Sequence, residues 1–338
     1  MSHSLARLLE TRDVLLADGA TGTNLFEVGL ESGEAPEMWL ERHPERISVL
    51  HQAFVEHGAD IILTCSFGAN RHRLKLHDAQ DRAHDLNRIA AELARVVADA
   101  AERPVVVGGS VGPTGELLQP LGPLSYRDAV EAFREQIVGL KAGGVDVIWI
   151  ETMSATEEAR AAAEAALACE MPYVLTGSFD SAGRTMMGIH PSDFHKAVDG
   201  LSPRPVAVGA NCGVGASDML ATALELETGS PDSALVVKAN CGIPRFVDGG
   251  TVYSGTPEQM ADYARLAINA GARIIGGCCG TSPHHLGAMR QAIDSHVRGQ
   301  RPSIAEIVEA VGPLVNKPAS AAATGETAPR TGRRRSRD

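Results

Sequence analysis

Aromatic side chains make up only 4% of the 338 residues. That scarcity argues against a base-stacking platform or an aromatic-lined carbohydrate cleft. Cysteine is sparse as well, six in all, too few for a disulfide scaffold. No run of about 18 apolar residues suggests a membrane span. The start, Met1 to Glu10, lacks the apolar core and small-residue cleavage site of a secretory leader. Positive charge is short too. The formal net charge is −11, and an acidic chain is a poor partner for phosphate backbones. The expected setting is therefore the reducing cytoplasm, with neither nucleic acid nor membrane as partner.

Hydrophobic residues, at 44%, are enough for a large core. Short runs rich in Val, Ile and Leu recur at 14–17, 60–64, 104–107, 145–150, 173–176, 205–208, 234–238 and 273–275. They read as buried parallel strands. Helical patterns follow at 46–57, 81–101, 126–142, 156–168, 191–198, 217–227, 256–269 and 283–296. Thr256-Pro257 and Ser282-Pro283 are N-cap and first-turn devices, and Ser125, Thr156 and Ser217 are also placed to cap. Such alternation predicts an α/β fold, a single (β/α)8 TIM barrel. The rival is an open doubly wound sheet, weakened because no G-x-G-x-x-G follows the first strand. Loops at 29–39 and 114–124 are expected to cover the barrel mouth. The barrel is assigned to residues 1–312. The Ala/Thr/Pro/Arg-rich stretch 313–338 is expected to be a disordered tail.

The strand ends carry the chemistry. They are small, polar and Gly-rich, so that a ligand can approach the backbone. Cys278 and Cys279 are adjacent and flanked by glycines after the eighth run. Cys212 and Cys241 follow the sixth and seventh runs in near-duplicate Ala-Asn-Cys-Gly settings. Three thiolates at one barrel mouth can hold zinc and leave its fourth position open. Periodicity does not say whether Cys212 or Cys241 completes that set. Cys65 and Cys169 read as core residues. His284 and His285 read as residues of a first helical turn. Asp18 and Glu151 are acids at the ends of the first and fourth strands, suited to capturing an ammonium group.

Asp18-Gly19-Ala20-Thr21-Gly22-Thr23, Gly109-Ser110-Val111-Gly112-Pro113, Gly209-Ala210-Asn211-Cys212 and Gly276-Gly277-Cys278-Cys279-Gly280-Thr281 resemble the zinc-dependent homocysteine S-methyltransferases. That family includes the homocysteine-binding module of cobalamin-dependent methionine synthase and betaine–homocysteine methyltransferase. The resemblance runs from about residue 10 to about 295. It implies zinc on Cys212, Cys278 and Cys279, with Cys241 a neighbour of the site. It implies that Asp18 and Glu151 hold the amino group of homocysteine, with the Gly19 and Ala20 amides near its carboxylate. Asn211, partner of Cys212 in the motif, joins the substrate-binding group. The implied activity is methyl transfer to homocysteine, giving methionine. Where betaine-using enzymes of animal type carry Tyr after the strand-four Glu, this chain has Thr152. The donor thus stays open among betaine, an S-methyl sulfonium and a separate methylated corrinoid protein. The alternative is the homocysteine-binding subunit of a split cobalamin-dependent methionine synthase, inactive without its corrinoid partner.

Overall fold

Within each apolar run, alternate residues face opposite sides, and this period of two builds both layers of the molecule. A computed structural model describes residues 5–247 and 250–316. The strands are β1 (Leu15–Leu16), β2 (Ile61–Leu63), β3 (Val106–Val111), β4 (Val147–Met153), β5 (Tyr173–Gly177), β6 (Ala207–Cys212), β7 (Ala234–Ala239), β8 (Pro244–Val247), β9 (Gly250–Tyr253) and β10 (Ile274–Gly277). Eight of them form one parallel sheet in the order β1-β10-β7-β6-β5-β4-β3-β2. A parallel bridge from Ala17 to Ile61 joins β1 to β2 and closes the ring. The expected (β/α)8 TIM barrel is thus the fold.

Inward residues Leu15, Ile61, Leu63, Val106, Val147, Trp149, Val174, Val236 and Ile274 form one apolar cluster inside the ring. Their outward neighbours, such as Leu16, Ile62, Val107, Ile148, Leu175, Val237 and Ile275, pack against the helices. The short helix Leu5–Thr11 adds Leu5 and Leu8 to the inner cluster, at the end where the strands begin. On that face Asp60, 1% exposed, pairs with Arg12, Arg103 and Arg290. Three cations around one carboxylate tie β2 to distant segments of the chain.

Most expected helices are present, with differences at their ends. Ser125 and Thr256 cap as expected, each accepting from a backbone N–H three residues on. Thr156 and Ser217 do not cap; they lie just inside their helices, after Ala155 and Gly215. The segment Pro191–Val198 winds as a 3-10 helix. His285 sits at the third helical position after Ser282 and completes a capping box. A further helix, Ile304–Val311, follows the barrel. Just past it the Val315 and Asn316 amides each donate to Asp218 at 2.8 Å. Of the stretch expected to be a tail, residues 317–338 lie outside the described residues. In the loop at 29–39, Glu37 is buried and accepts from the Gly68 amide at 2.6 Å. The antiparallel hairpin of β8 and β9 has no counterpart in the sequence reading. Among the described residues, no helix is long and apolar enough to cross a membrane.

Candidate metal centre

The strand ends raise three sulfurs to one point. The ligand-capable atoms of Cys212, Cys278 and Cys279 all lie within 4.8 Å of one another, and all three residues are half-buried. Local backbone explains the convergence. Cys212 has a left-handed φ of 65°, a strained conformation that turns its side chain out of the strand's alternation. The Cys278 amide donates to the Ala239 carbonyl at 2.7 Å, and the Cys279 amide to Asn240 Oδ1 at 3.0 Å. Asn240 Nδ2 donates in turn to the Gly213 carbonyl at 2.6 Å. One asparagine therefore clamps both cysteine turns. The glycines around the pair are required by space. A Cβ on Gly277 would lie 2.2 Å from Thr281, and Gly280, at φ 79°, would put one 2.3 Å from Tyr253.

Three soft sulfur donors suit zinc, which takes such sets in tetrahedral sites. The thiols brace one another. The contact with Cys278 favours the Cys212 thiolate, but Cys279 and burial outweigh it and push Cys212 up to about 12. Cys279 is likewise pushed up to about 12, where Cys212 lowers it and Cys278 and burial raise it further. Cys278 is held up by its contact with Cys212 and by burial. A cation entering the trio must displace protons at neutral pH. Cys241 is buried at 1% exposure and its amide donates to the Cys279 carbonyl at 2.9 Å. Its sulfur is outside the trio. Cys65 and Cys169 lie in the apolar core.

Beneath the sulfurs, the inward positions switch from apolar to polar. Ser110, Glu151, Thr176, Asn211 and Lys238 are all buried. The Ser110 hydroxyl donates to Glu151 Oε1. Burial pushes the Glu151 carboxyl up and nearby Asp18 adds to this, while Lys238 and Ser110 oppose it. Lys238 Nζ donates to Asp18 Oδ1 at 2.7 Å, and the Leu63 amide to Asp18 Oδ2 at 2.7 Å. Burial favours neutral Lys238, but Asp18 and Glu151 outweigh it and hold its ammonium charged. Asp18 and Glu151 thus act on each other, with the Lys238 ammonium between them in charge terms. Lys238 and Asn240 were missed because one reads as the end of an apolar run and the other as a turn residue.

Two expected binding residues are engaged within the protein. Asn211 Oδ1 accepts from the Thr152 amide at 2.8 Å and from Thr176 Oγ1 at 2.7 Å, while its Nδ2 donates to Thr152 Oγ1 at 2.7 Å. It holds Thr152 at a left-handed φ of 62°, unfavourable for a β-branched residue. The Ala20 amide donates to the Thr281 carbonyl at 3.1 Å, so the turn of Asp18 to Ala20 is tied to the cysteine turn. Gly19 packs close beneath it, where a Cβ would lie 2.5 Å from the same carbonyl.

Comparison with known proteins agrees with this geometry. The family model for homocysteine S-methyltransferase matches residues 15–293. A methionine synthase of Mycobacterium leprae is 30% identical over 342 residues, a match covering 92% of this chain and 28% of that protein. That of Mycobacterium tuberculosis is 28% identical, covering 88% of this chain and 26% of that protein. The chain therefore spans little more than a quarter of the length of these relatives. The metallated form of the homocysteine methyltransferase MmuM from Escherichia coli superposes with a TM-score of 0.69 at 26% identity, covering 84% of this chain and 98% of that one. The strand-end chemistry, the closed barrel and the matched span agree: the chain belongs to the homocysteine S-methyltransferase family of enzymes.

Proposed function

We propose that the protein methylates homocysteine to methionine, with zinc held by Cys212, Cys278 and Cys279. The observation that carries this reading is the convergence of these three sulfurs within 4.8 Å, with the buried Glu151 close enough to act on Cys278. Zinc, when bound, is a Lewis acid that ionises a thiol at neutral pH. The chain's own residues orient the amino acid. Glu151, aligned by Ser110, takes the ammonium group, and Asp18, held by Lys238 and the Leu63 amide, helps to orient it. The Gly19 turn lies nearest the substrate carboxylate. The substrate sulfur attacks the donor's methyl carbon in line; the new C–S bond forms as the donor bond breaks. Such a displacement needs alignment more than proton transfer, which suits a site whose groups are fixed by hydrogen bonds.

The donor divides two forms of this reading. A stand-alone enzyme would use betaine or an S-methyl sulfonium; likeness over 98% of the E. coli homocysteine methyltransferase MmuM favours this form. A subunit of a split methionine synthase would need a methylated corrinoid protein; the match to 28% of a longer methionine synthase favours that form. A donor screen with zinc-loaded protein and homocysteine separates them. Turnover with S-methylmethionine or betaine alone supports the first, and turnover only after adding a methylated corrinoid protein supports the second. No turnover with any donor would contradict both.

A further inference from the structure

Lys238 is 2% exposed and Asp18 is 1% exposed. The 2.7 Å bond between them is a buried ion pair inside the barrel. The second Asp18 oxygen is held by the Leu63 amide at 2.7 Å, so partners on two strands engage both. Glu151, at 8% exposure, is the more open acid. The groups around it are Asp18 after β1, Ser110 on β3, Lys238 on β7 and Cys278 after β10, while Asp18 also faces His51, from the helix Pro44–Glu56. Lys238 Nζ also lies 5.8 Å from the centre of the Trp149 ring, whose face favours a cation.

Two buried acids with no cation between them would not both ionise; one would keep its proton. Lys238, bonded to Asp18 and also felt by Glu151, leaves one net negative charge on the three groups, with Glu151 the acid it does not bond. We infer that Lys238 is a positioning residue that fixes Asp18 and leaves Glu151 as the one uncompensated anion for the ammonium group of an amino-acid thiol. This rests on the homocysteine reading above and adds to it a charge count that selects a single ammonium group.

The test is calorimetric titration of the full-length, zinc-loaded protein with homocysteine near neutral pH, in two buffers of different ionisation heat. This counts protons released on binding. In Lys238→Met the acid pair keeps one proton shared between its two carboxyls, and where that proton sits on Glu151 it must leave before the ammonium can be held. Affinity should fall about tenfold or more, the equivalent of at least one unit of acid shift. Proton release should rise towards one more than in the wild type, with zinc content unchanged. A merely structural loss would weaken binding without altering the count. The neutral pair Lys238→Met/Asp18→Asn removes both buried charges, which avoids the folding penalty of leaving one unpaired. Its proton count should return to the wild-type value. Wild-type affinity and count in Lys238→Met, or persistent extra release in the neutral pair, would overturn the inference. Failure of zinc-loaded wild type to bind homocysteine would instead overturn the reading on which it rests.

Discussion

Glu151 offers the sharpest single-atom test of substrate capture. Exchanging one oxygen for nitrogen removes its charge and keeps its size. Glu151→Gln is expected to raise the Michaelis constant for homocysteine about tenfold or more, since hydrogen bonds to charged groups contribute about 1.5–3 kcal/mol, with zinc content unchanged. An unaltered constant would count against the role. At this scale the sequence was partly legible. The cysteines stood out because Gly-Gly-Cys-Cys-Gly is an unusual strand end, and the acids because they follow apolar runs. Lys238 did not stand out. Its meaning depends on Asp18, 220 positions away along the chain, and no local pattern records a partner across a closed ring. Asn211 was read as a substrate contact, yet its oxygen serves Thr152 and Thr176. The motif showed that an amide matters there but not which way it faces.

Among the elements, the helix Pro44–Glu56 buries His51, which is 1% exposed and has no hydrogen-bond partner for either ring nitrogen among the described residues. Burial drives its pKa down to about 4, with Asp18 opposing. The unfolded imidazole titrates near 6.5. The unfolded chain thus binds more protons between those values, and stability falls as pH drops through that window. The group's share of the loss is at most on the order of 3 kcal/mol. Thermal melts at pH values from about 7 to about 4.5 should show a steeper fall for wild type than for His51→Phe, which cannot charge. Parallel curves would contradict this. Element boundaries were less legible than element existence. Ser217 looked like a cap, but its hydroxyl instead donates to the Gly312 carbonyl at 2.7 Å. Tertiary packing overrode the local signal. The hairpin β8–β9 escaped notice because its strands, Pro-Arg-Phe-Val and Gly-Thr-Val-Tyr, are not the continuous apolar runs that mark buried parallel strands.

For the whole molecule, the question is whether the metal holds the fold together or serves the reaction. The apolar clusters inside and outside the ring comprise far more buried surface than three half-buried cysteines. Removing zinc with a chelator should therefore abolish methyl transfer while leaving a cooperative melt. The melting temperature should fall by no more than about 10 °C, the size expected for loss of a bound ligand in a chain of this length. Unfolding on chelation would mark the site as structural. The eightfold alternation of strand and helix was the most legible feature of all, because buried parallel strands are nearly continuous apolar runs.

The central claim is that Cys212, Cys278 and Cys279 hold zinc with a position free for the substrate thiol. Zinc-edge X-ray absorption, recorded with and without homocysteine, addresses it directly. The account predicts three sulfurs at about 2.3 Å without substrate, all from the protein, and four with it, the fourth from homocysteine, and loss of bound zinc in Cys278→Ala. An unchanged sulfur count on adding homocysteine, or full zinc occupancy in that variant, would contradict it.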